Sequence, residues 1–188
     1  FVSLVEVHSA EALDEEGTRL STRPNIVLIL VDDMGYGDLG CYGHPKAKTP
    51  VIDRLAKQGV RFTQHYANGP ECSPTRTALL TGRYQQHAGG LECAIGTGNV
   101  GRYDDAIRLA GQRQLGLPAK QVVLPSALKP TGYACGVFGK WHLGYEPQFN
   151  PMEHGWDDFF GYMGGNVHYF NHRETSNPPL PFLPPKQP

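Results

Sequence analysis

The run from Asn25 to Val31 constrains the fold more than any other segment. Ile26, Val27, Leu28, Ile29 and Leu30 are consecutive and apolar, with no polar residue at alternate positions. A strand with one wet face would alternate. A strand buried on both faces would not, and such strands belong to parallel sheets covered by helices. The run stops at Asp32 and Asp33, with Gly35, Gly37 and Gly40 close behind. Thr49 and Pro50 then open a predicted helix through Gln58, with Gly59 as its stop. Val51, Ile52, Leu55 and Ala56 give that helix an apolar stripe. Val60–Tyr66 reads as a second strand, and a further helix follows. Strand, helix, strand, helix is an α/β pattern.

Downstream, residues 88–120 read as an excursion over the sheet face, with a helix predicted at Asp104–Gln114. A short helix is predicted at Pro125–Leu128, and a third strand at Tyr133–Phe138. Gly155–Gly161 is an aromatic loop or short strand. There are no internal repeats. With 188 residues the chain can bury one sizeable core. Its net charge of −1 gives no electrostatic footprint for nucleic acid. No apolar run approaches the ~18 residues of a membrane span. Phe1–Ala12 ends on Ala10-Glu11-Ala12 and reads either as a secretory-signal remnant or as an arm. The expected layout is an arm or signal remnant at 1–23, a catalytic part at 24–175 and a proline-rich segment at 176–188. Both ends read as cut from a longer chain.

Residues 70–84 carry the densest chemical signal. Ser73 is a candidate cap, Pro74 fits a first helical turn and Gly82 fits a helix end. Cys72 then faces free backbone N–H groups, where negative charge is favoured. Arg76, one turn on, adds a permanent positive charge. Cys72 is open to three readings at this point: a structural thiol, a thiolate nucleophile, or a group handling an oxyanion. A tyrosine-phosphatase loop needs a glycine-rich Cys-x5-Arg, which is absent. His87 is a conceivable base for a thiolate. Cys41, Cys93 and Cys135 match no zinc spacing, and Cys135 reads as a core residue.

Two further groups fall at strand ends, where α/β sheets bind ligands. Asp32 and Asp33 are adjacent carboxylates, able to hold a hard cation or to line a solvated turn. Asp38 reads as a turn residue. Lys140 and His142 are two apart, which puts them on one face of an extended segment. They offer a cation and a proton carrier.

Together these pieces resemble the type I sulfatase family of the alkaline-phosphatase-like superfamily. The resemblance rests on Pro24–Asp33 before Gly35-Tyr36-Gly37-Asp38, then Cys72-Ser73-Pro74-Thr75-Arg76 with Leu79-Leu80-Thr81-Gly82-Arg83. It continues through Gly132-Tyr133 to Gly139-Lys140-Trp141-His142-Leu143-Gly144, and covers about Pro24 to Phe170. It implies a mainly parallel mixed sheet sandwiched by helices, incomplete in this chain. It implies a sulfuric ester hydrolase in which a maturation enzyme oxidises Cys72 to Cα-formylglycine. One hydroxyl of the hydrated aldehyde would attack sulfur, and the other would expel sulfate with His142 as base. The catalytic set implied is Cys72, Arg76, Lys140 and His142. Calcium, with magnesium as the alternative, would be held by Asp32, Asp33 and residue 72. Asn166 and His168, in the polar loop Gly164–Arg173, are candidate substrate contacts. A sulfate-ester substrate and a periplasmic or secreted location go with this reading.

The chain departs from the family pattern at Glu71, which replaces a small aliphatic or hydroxyl residue, and at Cys135, Phe138 and Pro130. The family's second metal-binding pair and a further His and Lys lie later in its longer chains. Two other readings stand beside the first. One is a phosphate or phosphonate ester hydrolase of the same superfamily. The other is a catalytically incomplete chain that only binds ligand.

Overall fold

The computed structural model describes residues 2–9, 23–88, 91–168 and 170–171, the first of these as backbone. The signal-like step at Ala10–Ala12 and the segment 176–188 lie outside the described residues.

Strands β1 (Val2–Ser9), β2 (Ile26–Val31), β3 (Tyr133–Lys140) and β4 (Asp158–Tyr162) form one sheet in the order β2-β1-β3-β4. β1 runs antiparallel to both β2 and β3, and β3 pairs parallel with β4. Two strands antiparallel to a shared neighbour run in the same direction. β2, β3 and β4 therefore point one way, and their carboxyl ends lie at one edge of a mixed sheet. Val2–Ser9, within the segment expected as an arm or signal remnant, forms β1.

Val60–Tyr66, expected as a strand, pairs with nothing among the described strands. Val60 is 80% exposed and Phe62 and Tyr66 are also exposed. Composition favours extended backbone there, but a strand exists only through its ladder, and that is a tertiary event.

Helix α1 spans Pro50–Gln58, as its Pro start and Gly59 stop predict. Thr49 C=O accepts from Asp53 N–H at 2.8 Å, and Gly59 N–H donates to Leu55 C=O at 2.9 Å. The Asp53 carboxylate accepts from Thr49 Oγ1 and from Cys41 N–H, tying the helix start to the turn at Gly40–Tyr42. The predicted stripe of Val51, Ile52 and Leu55 is exposed.

Helix α2 spans Cys72–Thr81 and ends where Gly82 adopts φ 64°, with its N–H donating to Ala78 C=O at 2.9 Å. A side chain at that left-handed position would cost about 1–2 kcal/mol. Helices α3 (Asp104–Gly111) and α4 (Leu124–Leu128) follow. The predicted helix at Asp104–Gln114 stops short because the chain turns at Arg113, with φ 57°.

The core joins β3 and β4 to the excursion that follows α2. Leu91, Cys93, Leu117, Val123, Cys135, Trp141, Leu143 and Phe159 are all buried there. Each large apolar side chain contributes roughly 1.5–3 kcal/mol. Trp141 also satisfies its polar atom, donating Nε1–H to Phe149 C=O at 2.8 Å. All four cysteines are free, and burial pushes the Cys93 and Cys135 thiols up in pKa. Those two are core fillers with little thiolate character. Packing Trp141 and Leu143 beneath the end of β3 is what holds Lys140 and His142 in place.

Candidate active site

The sheet edge brings three segments together. β2 ends at Asp32 and Asp33, β3 ends at Lys140, and α2 begins at Cys72. Asp32, Asp33, Glu71, Cys72, Arg76 and Asn99 help line a cavity of about 480 Å³. His87 lines a separate, larger groove on α2 instead. Cys72 is half-buried and is the first residue of its helix.

The expected cap is not made by Ser73. Glu71 occupies the N-cap position, and the Ser73 hydroxyl is spent elsewhere. It donates to His142 C=O at 2.8 Å and accepts from Ile95 N–H at 3.1 Å. A buried hydroxyl takes whichever partners satisfy it best, and here they come from two distant segments.

Asp32 sits between two cations. Lys140 Nζ donates to its Oδ2 at 2.7 Å, and Arg76 Nη2 lies 4.0 Å from its Oδ1. Arg76 Nη1 donates to Lys140 C=O at 2.7 Å. Arg76 is only 5% exposed. Burial pushes its pKa down, while the charges of Asp32 and Cys72 oppose that shift. Buried charges of this kind persist only when paired and hydrogen-bonded.

Lys140 and His142 do not share a face as an extended segment would require. His142 has φ 56°, which breaks the alternation just past β3. Lys140 turns to Asp32, whereas His142 Nε2 meets Ile95 C=O at 2.6 Å. His142 is 2% exposed and is not among the described residues lining the cavity. Gly165 closes over the ring, and a Cβ there would stand 2.8 Å from His142 Cε1. Asn166 and His168 are exposed in the loop after β4 and likewise do not line the cavity.

Burial pushes the His142 imidazole down to about 4, and the positive charges of Lys140 and Arg76 act the same way. Burial also lowers His154, which packs 5.8 Å from the Trp141 ring. Both imidazoles thus bind protons more weakly when folded than when unfolded, where the ordinary value is 6.5. Their stabilising contribution is complete above about pH 6.5 and is lost as the pH falls toward 4. For His142 alone the loss amounts to roughly 3 kcal/mol. Urea melts at pH 7.5 and 4.5 should show the midpoint falling. A wild-type midpoint that does not fall between pH 7.5 and 4.5 would contradict the assignment.

Asp32 and Asp33 supply hard oxygen donors of the kind calcium or magnesium takes. Among the described residues no group of three His, Cys, Asp or Glu side chains converges on a cation position. The fit to such an ion is correct in donor chemistry and covers part of a shell.

Reading the sequence alone missed the partners that hold these groups. Ile95 contributes a backbone carbonyl, which no residue type announces. Glu71 did leave a signal, as a departure from the motif around Cys72.

A family model described as Sulfatase matches residues 24–180. N-acetylgalactosamine-6-sulfatase of Canis lupus familiaris is 42% identical over 158 residues, covering 84% of this chain and 28% of that relative. Steryl-sulfatase of Mus musculus is 44% identical over 150 residues, covering 77% and 23%. The crystal structure of Ps i-CgsB matches with a TM-score of 0.61 and 35% identity, over 74% of this chain and 28% of that one. The chain spans roughly a quarter of the length of the curated relatives it matches. Among the described residues no helix is long and apolar enough to cross a membrane.

Proposed function

Because the chain belongs to the sulfatase family, we propose that the protein hydrolyses a sulfate monoester at the Asp32–Cys72 cavity. The observation that carries this reading is the placement of Cys72. It opens a helix at the cavity, with Arg76 buried behind it and two carboxylates beside it. Converted to formylglycine, residue 72 would supply a hydrated aldehyde as the nucleophile for sulfur.

This chain's own residues supply part of the remaining machinery. The start of α2 and the Arg76 guanidinium favour negative charge at position 72. Lys140 bonds Asp32 and brings a second cation to the same edge. Asp32 and Asp33 would hold calcium or magnesium, an ion that would supply polarisation of a bound sulfuryl group. His142, uncharged at neutral pH, is the base. Asn166 and His168 are the proposed substrate contacts. A maturation enzyme and a periplasmic or secreted setting complete the proposal.

Mass spectrometry of the peptide carrying residue 72, from the native producer, tests this. The expected result is an aldehyde in place of –CH₂SH. An unmodified thiol would overturn the mechanism. The same preparation should turn over an aryl sulfate well ahead of an aryl phosphate. The opposite preference would favour the phosphate or phosphonate ester reading.

A further inference from the structure

The residues on either side of position 72 reach the same short segment. Glu71 Oε2 accepts from Ala94 N–H, and Glu71 Oε1 accepts from Asn99 Nδ2, each at 2.5 Å. Between those two points the segment is tied into a turn. Thr97 Oγ1 donates to Ala94 C=O at 2.8 Å and accepts from Asn99 N–H at 3.3 Å. Ser73 Oγ holds Ile95 N–H from the other side. Glu71 and Ser73 therefore clamp one compact strap, Ala94–Asn99, from both sides of the modification site.

The strap in turn holds His142. Ile95 C=O faces His142 Nε2 at 2.6 Å and also accepts from Tyr145 Oη at 3.2 Å. A backbone carbonyl only accepts. The ring proton must therefore sit on Nε2, and Nδ1 is the nitrogen able to take another. Nδ1 is buried with no hydrogen-bond partner among the described residues.

We propose that Glu71 is a positioning residue: by tethering Ala94 and Asn99 it fixes the Ile95 carbonyl and so locks His142 as the Nε2–H tautomer. Its catalytic consequence rests on the sulfatase reading. A small residue at position 71 would make neither tether. Both carboxylate oxygens are engaged by N–H donors of the strap.

The test uses the intact protein labelled with ¹⁵N-histidine, with the His142 signals assigned by a His142→Asn variant. The wild type is expected to show a protonated Nε2 and a bare Nδ1. Glu71→Ala should show averaging between tautomers. Its kcat on a sulfate ester should fall about tenfold to a hundredfold with KM little changed, as expected for a misplaced catalytic group. Glu71→Gln keeps one acceptor oxygen and should recover part of both effects. Asn99→Ala removes a single tether and should shift the same signals by less. That variant keeps the test open if Glu71→Ala does not fold.

A wild-type Nδ1–H tautomer would overturn the proposal. So would spectra and kcat in both Glu71→Ala and Asn99→Ala that equal the wild type. If the spectra behave as expected but no sulfate ester is hydrolysed, the tether stands and the sulfatase reading falls.

Discussion

Cys72→Ala is expected to remove sulfate-ester hydrolysis, by at least about a thousandfold in kcat, while leaving the fold intact. The argument for lost activity is the role proposed for residue 72 as the nucleophile's precursor. The argument for an intact fold is local. Cys72 is half-buried, makes no disulfide and begins a helix that tolerates alanine. Its neighbours Ser73, Arg76 and Thr77 carry the buried contacts of that helix. Circular dichroism and a urea melt should therefore match the wild type within about 0.5 kcal/mol, as for substitutions away from core features. Measurable turnover close to wild type in Cys72→Ala would end the proposed mechanism.

Asp32→Ala is expected to cost roughly 3–5 kcal/mol of folding stability, the usual range for breaking a buried pair by removing one partner. Two cations flank this carboxylate, and the side chains of Lys140 and Asp32 are only 2% and 10% exposed. Without it, Lys140 and Arg76 repel one another in a dry setting. Lys140→Met in the same background should restore part of the loss, because one of the two neighbouring buried cations is gone. The melts belong in chelator, so that linkage to a bound cation does not enter. A loss below about 1 kcal/mol for Asp32→Ala would mean that water or another group solvates the pair.

Local signals were legible in the sequence. Thr49, Pro50 and Gly59 bound α1, and Gly82 ends α2, because caps and breakers act on their own neighbours. The apolar run at Ile26–Val31 does form a strand, but not one buried on both faces: Ile26, Val27 and Ile29 are exposed, and among the described strands β2 pairs only with β1, antiparallel. What could not be read depends on distance along the chain. Lys140 meets Asp32 across 108 positions, and Ser73 meets His142 across 69. Hydroxyl and ammonium groups choose partners after the chain has folded. Ser73 therefore looked like a cap and became a long-range clamp. Val60–Tyr66 had the composition of a strand and pairs with none of the described strands. His142 stood at even spacing from Lys140, but its φ of 56° sent the ring elsewhere.

Asp33 and His142 share that backbone state, with φ of 58° and 56°. Asp and His are among the side chains that tolerate it best, yet glycine would adopt it at lower cost. An engineer ranking positions by backbone comfort alone would exchange these two for glycine early. At His142 that exchange would remove a buried ring and its bond to Ile95, leaving a cavity that outweighs the relieved backbone. The resulting protein would also lack the base and the metal ligand proposed above. Backbone comfort is therefore a poor selection criterion at this sheet edge, and any stabilising library should hold both positions fixed.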